Sequence, residues 1–386
     1  MQLNAFFAVI SILIQAVFSN QSPWDKYSRR VCQAPSDNPL EGCPPDTVLV
    51  GPNHEYTTIQ SAILSLPDDT STQILLVLPG TYEEQVNITR KGPVTLLGQT
   101  SASDDLESNT VEVLWRAVAG TGDNAFTAVL TVAPDLNASL TGSGPTGYPI
   151  PVDQPFGNTD FRAYNLNFTN DFLPYSAGPS LTLSTGYANS GFYHCSFSSY
   201  QDTIYIGKNA STYISHSSIE GETDFLYGFG TLWITNSTLL LRGCGGGITA
   251  WKGTNTTFEN KYGVYIVDGS VVKANDSLMI THECALGRPW NSQQRSIFAR
   301  NYLDDSILPA GYIEWSSSDP RVDSLTFMAE YEDYGPGFDL TSRLQEGAGV
   351  TIELSAPQWA DYDSPEKVFQ YVNGDLGNVD WIDWSI

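Results

Sequence analysis

Two aspartates, Asp202 and Asp224, stand 22 residues apart in the stretch YQDTIYIGKNASTYISHSSIEGETDFLYG. A short apolar run follows each of them, Ile204-Tyr205-Ile206 in one case and Phe225-Leu226-Tyr227 in the other. Two carboxylates brought within a few ångströms do not both ionise at ordinary pH; mutual repulsion holds one of them protonated. An acid beside a carboxylate is the pair needed for proton transfer or for nucleophilic attack with a proton donor alongside. Gln201, directly before Asp202, carries an amide suited to an oxyanion. Arg288 lies between Gly287 and Pro289 in LGRPW, and its guanidinium fork matches a carboxylate. Trp290 beside it offers an apolar face of the kind on which sugar rings stack. Taken singly, either aspartate reads more readily as a turn or cap residue on a solvated loop, so the interval between them carries the argument.

That interval needs elements that bring residues 22 apart into register. Helix signals are few: SAILSLP (61–67) after TTIQ reads as one short helix capped by Thr57 or Thr58 and stopped by Pro67. Most of the rest is short β-like runs such as ILLVLPG, PVTLLG, GTLWIT and GVYIVDG, broken by Gly, Asn, Asp or Ser. A loose repeat runs through YNLNF (164–168), YHCSF (193–197), SHSSI (215–219) and TNSTL (235–239), with Phe168, Phe197, Ile219 and Leu239 spaced by 29, 22 and 20 residues. Short strands at such a period, without intervening helices, predict a solenoid. Parallel strands without helical crossovers imply an all-β parallel β-helix. A β-sandwich would instead show turn signals every 8–12 residues. On neighbouring coils, strands lie ~4.8 Å apart, which would place Asp202 and Asp224 face to face.

The chain has 386 residues, 43 Asp and Glu against 18 Lys and Arg, and a formal net charge of −25. Such a charge disfavours nucleic acid or an anionic membrane as partner. The apolar run from Ala5 to Phe18 predicts a signal peptide over 1–19 and hence a secreted, extracellular protein. Seven N-x-[ST] sequons, at Asn87, Asn137, Asn167, Asn209, Asn236, Asn255 and Asn275, point to a secreted glycoprotein. Of the five cysteines, Cys32 and Cys43 flank a short loop and are the expected disulfide, which closes an N-terminal segment over 20–45. Cys195, among aromatics, reads as a buried small hydrophobe. No CxxC spacing is present, and no metal is expected. The main domain is expected over 46–345. The tail, 346–386, with Trp359, Trp381 and Trp384, is expected to pack on the solenoid and cover its end.

The ordered motifs Tyr200-Gln201-Asp202-Thr203, Asp224-Phe225-Leu226-Tyr227-Gly228 and Leu286-Gly287-Arg288-Pro289-Trp290 resemble the signature of the pectin methylesterase (pectinesterase) family, carbohydrate esterases built on a right-handed parallel β-helix. TTIQSAI (57–63), GTYEEQV (80–86), YNLNFTN (164–170) and EYEDYGPG (330–337) extend the likeness over roughly 46–345. The resemblance implies that Asp224 is the nucleophile on the C6 methyl ester of galacturonate and Asp202 the proton donor and then base. It also implies that Gln201 is an oxyanion donor, that Arg288 orients Asp224, and that Trp290 and Tyr312 line the sugar groove. It implies pectin as substrate, no cofactor and a monomer. Two positions depart from the family: Pro179 stands where an oxyanion Gln is usual, and Tyr227 stands for Phe. Proline has no amide to donate, so a weakened enzyme or an inactive pectin-binding homologue is a second reading. A β-helical pectin hydrolase, with Asp160 or Asp304-Asp305 as its acids, is a third. A serine esterase is disfavoured, because only His54, His194, His216 and His282 are available and there is no GxSxG elbow. The charge of −25 also disfavours heavily demethylated pectin at neutral pH.

Overall fold

The repeat becomes coils. In the computed structural model, which describes residues 25–142, 153–253 and 259–386, the chain winds through three parallel sheets of eleven, eight and seven strands. The predicted leader and Asn255 lie outside the described residues. One coil runs Asn189–Tyr193, Ser196–Ser198, Ile204–Ile206; the next runs Ser211–Ser215, Ser218–Gly221, Leu226–Gly228. Equivalent strands pair in parallel, Ser196 with Ser218 and Ile204 with Leu226. This is a parallel β-helix.

The residues of the repeat form one interior column. Phe168 faces Phe197, Phe197 faces Ile219, Ile219 faces Leu239, and Val271 and Leu303 continue the line. All six are fully buried, and the Phe168 and Phe197 rings stack at 5.4 Å. Each such side chain contributes about 1.5–3 kcal/mol on burial, and the column repeats it coil after coil. The polar residue of each repeat has a separate reason. Asn165, His194, His216 and Asn236 sit at the corner between the first and second sheets with φ of 57°, 52°, 52° and 48°. Asn and His tolerate this left-handed conformation better than most residues do, so the corner selects them.

The helix Ile59–Ser65 covers the start of the solenoid, with Thr58 accepting from Ser61 N at 3.2 Å. Glu84 accepts from both Ile59 N and Gln60 N, fixing the helix to the first coils. A second helix, Lys26–Gln33, gave no signal in the sequence reading; it carries Cys32, which is bonded to Cys43. A second disulfide joins Cys244 and Cys284, and Cys195 is free and buried.

The tail runs along a flank rather than over an end. The outer face of the eleven-stranded sheet carries an aromatic residue on successive coils, Tyr164, Tyr193, Tyr213, Trp233 and Tyr265. Trp359, Phe369, Trp381 and Ile382 bury that column together with Cys32. The helix Lys26–Gln33 and the tail meet there: Asp383 accepts from Tyr164 Oη at 2.8 Å and pairs with Arg29 at 3.4 Å.

Candidate active site

The carboxylates lie on the seven-stranded sheet, each two residues ahead of a strand. Pro179 bridges to Gln201 and Gln201 to Thr223, so positions 22 apart are stacked on three successive coils. Asp202 and Asp224 therefore occupy equivalent positions one coil apart. Both adopt left-handed backbone, φ 59° and 47°, a conformation rare outside Gly, Asn and Asp and recurrent at functional sites. Each is 7% exposed.

Their surroundings differ. Asp224 Oδ1 accepts from Arg288 Nε at 2.9 Å and Oδ2 accepts from Arg288 Nη2 at 2.7 Å, a two-pronged pair. Gly247 N adds a third donor to Oδ1 at 3.1 Å. Three charge-assisted donors fix the orientation of this carboxylate. Among the described residues Asp202 has no ion pair of its own: its Oδ2 accepts from Asn124 Nδ2 at 3.1 Å. Burial, and after it the negative charge of Asp224, pushes Asp202 well above the usual carboxylate range. One carboxylate clamped and the other driven toward its acid form is the asymmetry the spacing suggested.

The remaining predicted residues divide. Gln201 directly precedes Asp202, and its Oε1 accepts from Ser176 Oγ at 3.2 Å, so the donor capacity of the amide rests on Nε2. Arg288 follows the strand Ala285–Gly287, two coils on from Asp224 in the same sheet. Trp290 is half-buried against the outer-face cluster of Leu181, Tyr205, Tyr227 and Phe229, with Tyr227 at 5.7 Å. Tyr312 is a correction. It is 1% exposed, and its hydroxyl accepts from Ser296 Oγ at 3.0 Å and is 3.2 Å from Ser296 O. Gly311, at φ 75°, sits in the turn before it, and the chain there takes Tyr312 into the core. Trp315 is the aromatic that reaches the site, lying 4.1 Å from the Arg288 guanidinium and 4.2 Å from that of Arg321.

Four contributors escaped the sequence reading. Asn124 comes from the turn Asn124–Thr127, 78 residues before its partner Asp202, where no spacing rule reaches. Lys252 stands over Trp290 at 3.8 Å, and burial lowers it to about 8. The glycines after Cys244 had a signal that went unused. A Cβ on Gly246 would stand 2.8 Å from Asp224 Oδ1 and 3.0 Å from Arg288 Nη2, so the GGG run is where backbone must pass close to the clamped pair. Trp315 lies three residues after Tyr312 in GYIEW, where only Tyr312 is expected to line the groove.

The carboxylates of the alternative readings serve elsewhere. Asp160 pairs with Arg162 and Asp305 with Lys273. A cavity of about 760 Å³ under the tail, lined by Arg162, Tyr164, Trp381 and Asp383 among others, shares no residue with the Asp202–Asp224 site.

The family model described as Pectinesterase matches residues 156–366. "Probable pectinesterase A" of Aspergillus niger is 30% identical over 304 residues, covering 78% of this chain and 82% of that protein. The chain belongs to the pectinesterase family. Pectinesterase A of Emericella nidulans is 25% identical over 389 residues, covering the whole of both chains. Among solved structures, the pectin methylesterase of Aspergillus niger superposes with TM-score 0.68 at 26% identity, over 89% of this chain and 98% of that one. Carrot pectin methylesterase gives 0.67 at 19%, over 87% and 98%, a likeness of fold. The pectinesterase match spans every carboxylate, amide and guanidinium assigned above except Asn124.

Proposed function

We propose that this pectinesterase hydrolyses the methyl esters at C6 of galacturonate units in pectin, releasing methanol and leaving pectate. The carrying observation is the unequal pair: Asp224 clamped by Arg288 through both oxygens, and Asp202 one coil away with no ion pair among the described residues.

Asp224 attacks the ester carbonyl carbon, and the carbonyl π electrons move onto oxygen. Gln201 Nε2 donates to that oxyanion. Collapse expels methoxide, which takes the proton of Asp202, leaving an acyl anhydride on Asp224 and a carboxylate at Asp202. Water then attacks the anhydride carbonyl and gives its proton to Asp202. Asp224 departs as the carboxylate that Arg288 stabilises, and both groups return to their starting states. Trp290 and Trp315 supply apolar faces for the sugar rings, and no step is routed through a metal. Pro179 leaves its coil without an oxyanion amide, a loss worth about 10²–10³ in rate where such a donor operates.

The chain's apolar leader, together with the exposed sequon residues Asn137, Asn236 and Asn275, supports a secreted glycoprotein. One chain supplies every residue of the mechanism, which supports a monomer. Asp224→Asn should reduce methanol release from methylated pectin by at least about 10³-fold with an unchanged circular dichroism spectrum. New reducing ends in place of methanol would instead support a hydrolase, and full activity in the variant would remove Asp224 from the mechanism.

A further inference from the structure

The mechanism requires Asp202 to change charge twice per turnover inside a buried site. When it hands its proton to methoxide it becomes an anion, while Asp224 is acylated; the Arg288 charge acts on Asp202 from nearby, but its hydrogen bonds go to Asp224. The new carboxylate therefore needs hydrogen-bond donors of its own. Asn124 Nδ2 already donates to Asp202 Oδ2 at 3.1 Å. The second group is Tyr227. Its ring is held by Tyr205 at 5.0 Å and Trp290 at 5.7 Å, and it is 3% exposed. Among the described residues its hydroxyl makes no hydrogen bond in standard geometry. Asp202 and Asn124 both lie close enough to act on it as loosely aligned partners. A buried hydroxyl without a well-aligned partner is costly and calls for an explanation. Phenylalanine would fill the same space without that cost.

We propose that Tyr227 and Asn124 are positioning residues for Asp202, with the Tyr227 hydroxyl turning to donate to the Asp202 carboxylate as it forms, beside the standing bond from Asn124. The inference rests on the reading of Asp202 as acid and then base. It gives the hydroxyl a strong, charged acceptor at the step where Asp202 ionises. The two donors oppose burial and the Asp224 charge, the influences that push Asp202 upward. The other ionisable groups facing this cluster are Arg288 against Asp202, and Asp123 and Tyr205 against Tyr227. None of them donates a hydrogen bond to Asp202 in standard geometry among the described residues.

The test is Tyr227→Phe, with Asn124→Ala as a second variant, each assayed by methanol release from methylated pectin across pH. The form competent for attack has Asp202 protonated, so the alkaline limb of kcat/KM reports its ionisation. Removing a donor to the carboxylate raises the pKa, and the limb should move to higher pH by about one unit. The carboxylate needed as base for the second half-reaction becomes scarcer, so kcat at mildly acidic pH should fall about tenfold while kcat/KM on its plateau changes little. A purely structural role would lower kcat/KM at all pH values and leave the limb in place. An unmoved or downward-moving limb in both variants overturns the inference. If Tyr227→Phe fails to fold, the Asn124→Ala profile decides. Wild-type protein that releases no methanol, or Asp202→Asn that keeps full activity, overturns the underlying reading as well. An active wild type, an inactive Asp202→Asn and unmoved limbs overturn the role of Tyr227 and Asn124 alone.

Discussion

At the scale of single residues, the site depends on making two identical side chains unequal. Asp224 receives a two-pronged cation and a backbone N–H; Asp202 receives one neutral amide and the field of Asp224. This inequality bears on stability. The folded Asp202 holds its proton more tightly than the unfolded chain does, so the native state binds more protons at pH values above the ordinary Asp pKa of about 3.9. Stability contributed at this position therefore falls as pH rises from there toward the raised folded value. Asp202→Asn removes the ionisable group. The variant should lose methanol release yet melt higher than wild type at pH 7, with the gap closing as pH falls toward 4. Thermal melts at the two pH values check this; a gap independent of pH would show that Asp202 carries no electrostatic penalty in the fold.

At the scale of elements, the seven-stranded sheet sets the spacing and the segments at its strand ends do the chemistry. The coil repeat puts Asp202 and Asp224 in register because Gln201 and Thr223 pair across it. The segment Gly245–Gly247, next to the Cys244–Cys284 bridge, passes against the Asp224–Arg288 pair and donates Gly247 N to it. A methyl group at position 246 has no room without moving one of those side chains. Gly246→Ala should lower kcat/KM by about tenfold to a hundredfold, the scale of a misplacement near 1 Å, while the melting temperature shifts by only a few degrees. Equal losses in activity and stability would show a general packing defect instead. The same view explains the errors of the sequence reading. Tyr312 and Trp315 are three residues apart in GYIEW, and both look fit for sugar. Which one turns outward is set by the backbone at Gly311 and by the acceptors waiting for the Tyr312 hydroxyl at Ser296 and Ala329.

At the scale of the whole molecule, the two long flanks have separate tasks. The seven-stranded sheet carries the candidate site, and the eleven-stranded sheet is sheathed by the tail and the N-terminal disulfide segment. The sheath is apolar and well packed: Trp381 is 2% exposed, stands edge-on to Phe369 at 5.0 Å and donates its Nε1–H to Asn378 O at 2.8 Å. Trp381→Ala should cost about 3–5 kcal/mol and lower the melting temperature, while kcat for methanol release measured well below that temperature stays near wild type. A fall in kcat without a fall in stability would mean that the flanks are coupled.

The sequence by itself determined the repeat, and with it the solenoid. A column such as Phe168, Phe197, Ile219 and Leu239, with a corner residue that accepts left-handed backbone, is a local pattern renewed on each coil. It also determined the pairing of Asp202 with Asp224, because one coil is one interval, and it exposed Pro179 as the position lacking an amide. Only the tertiary structure decided what approaches that pair from a distance. Asn124 arrives from 78 residues away, the aromatic tail lies along a flank instead of an end, and Cys244 finds Cys284 across 40 residues. Such contacts depend on where loops of unequal length place their ends, which no periodicity encodes. The hydroxyl of Tyr227 is the sharpest case: a single added oxygen in the sequence, it gains a role only where burial leaves it facing Asp202.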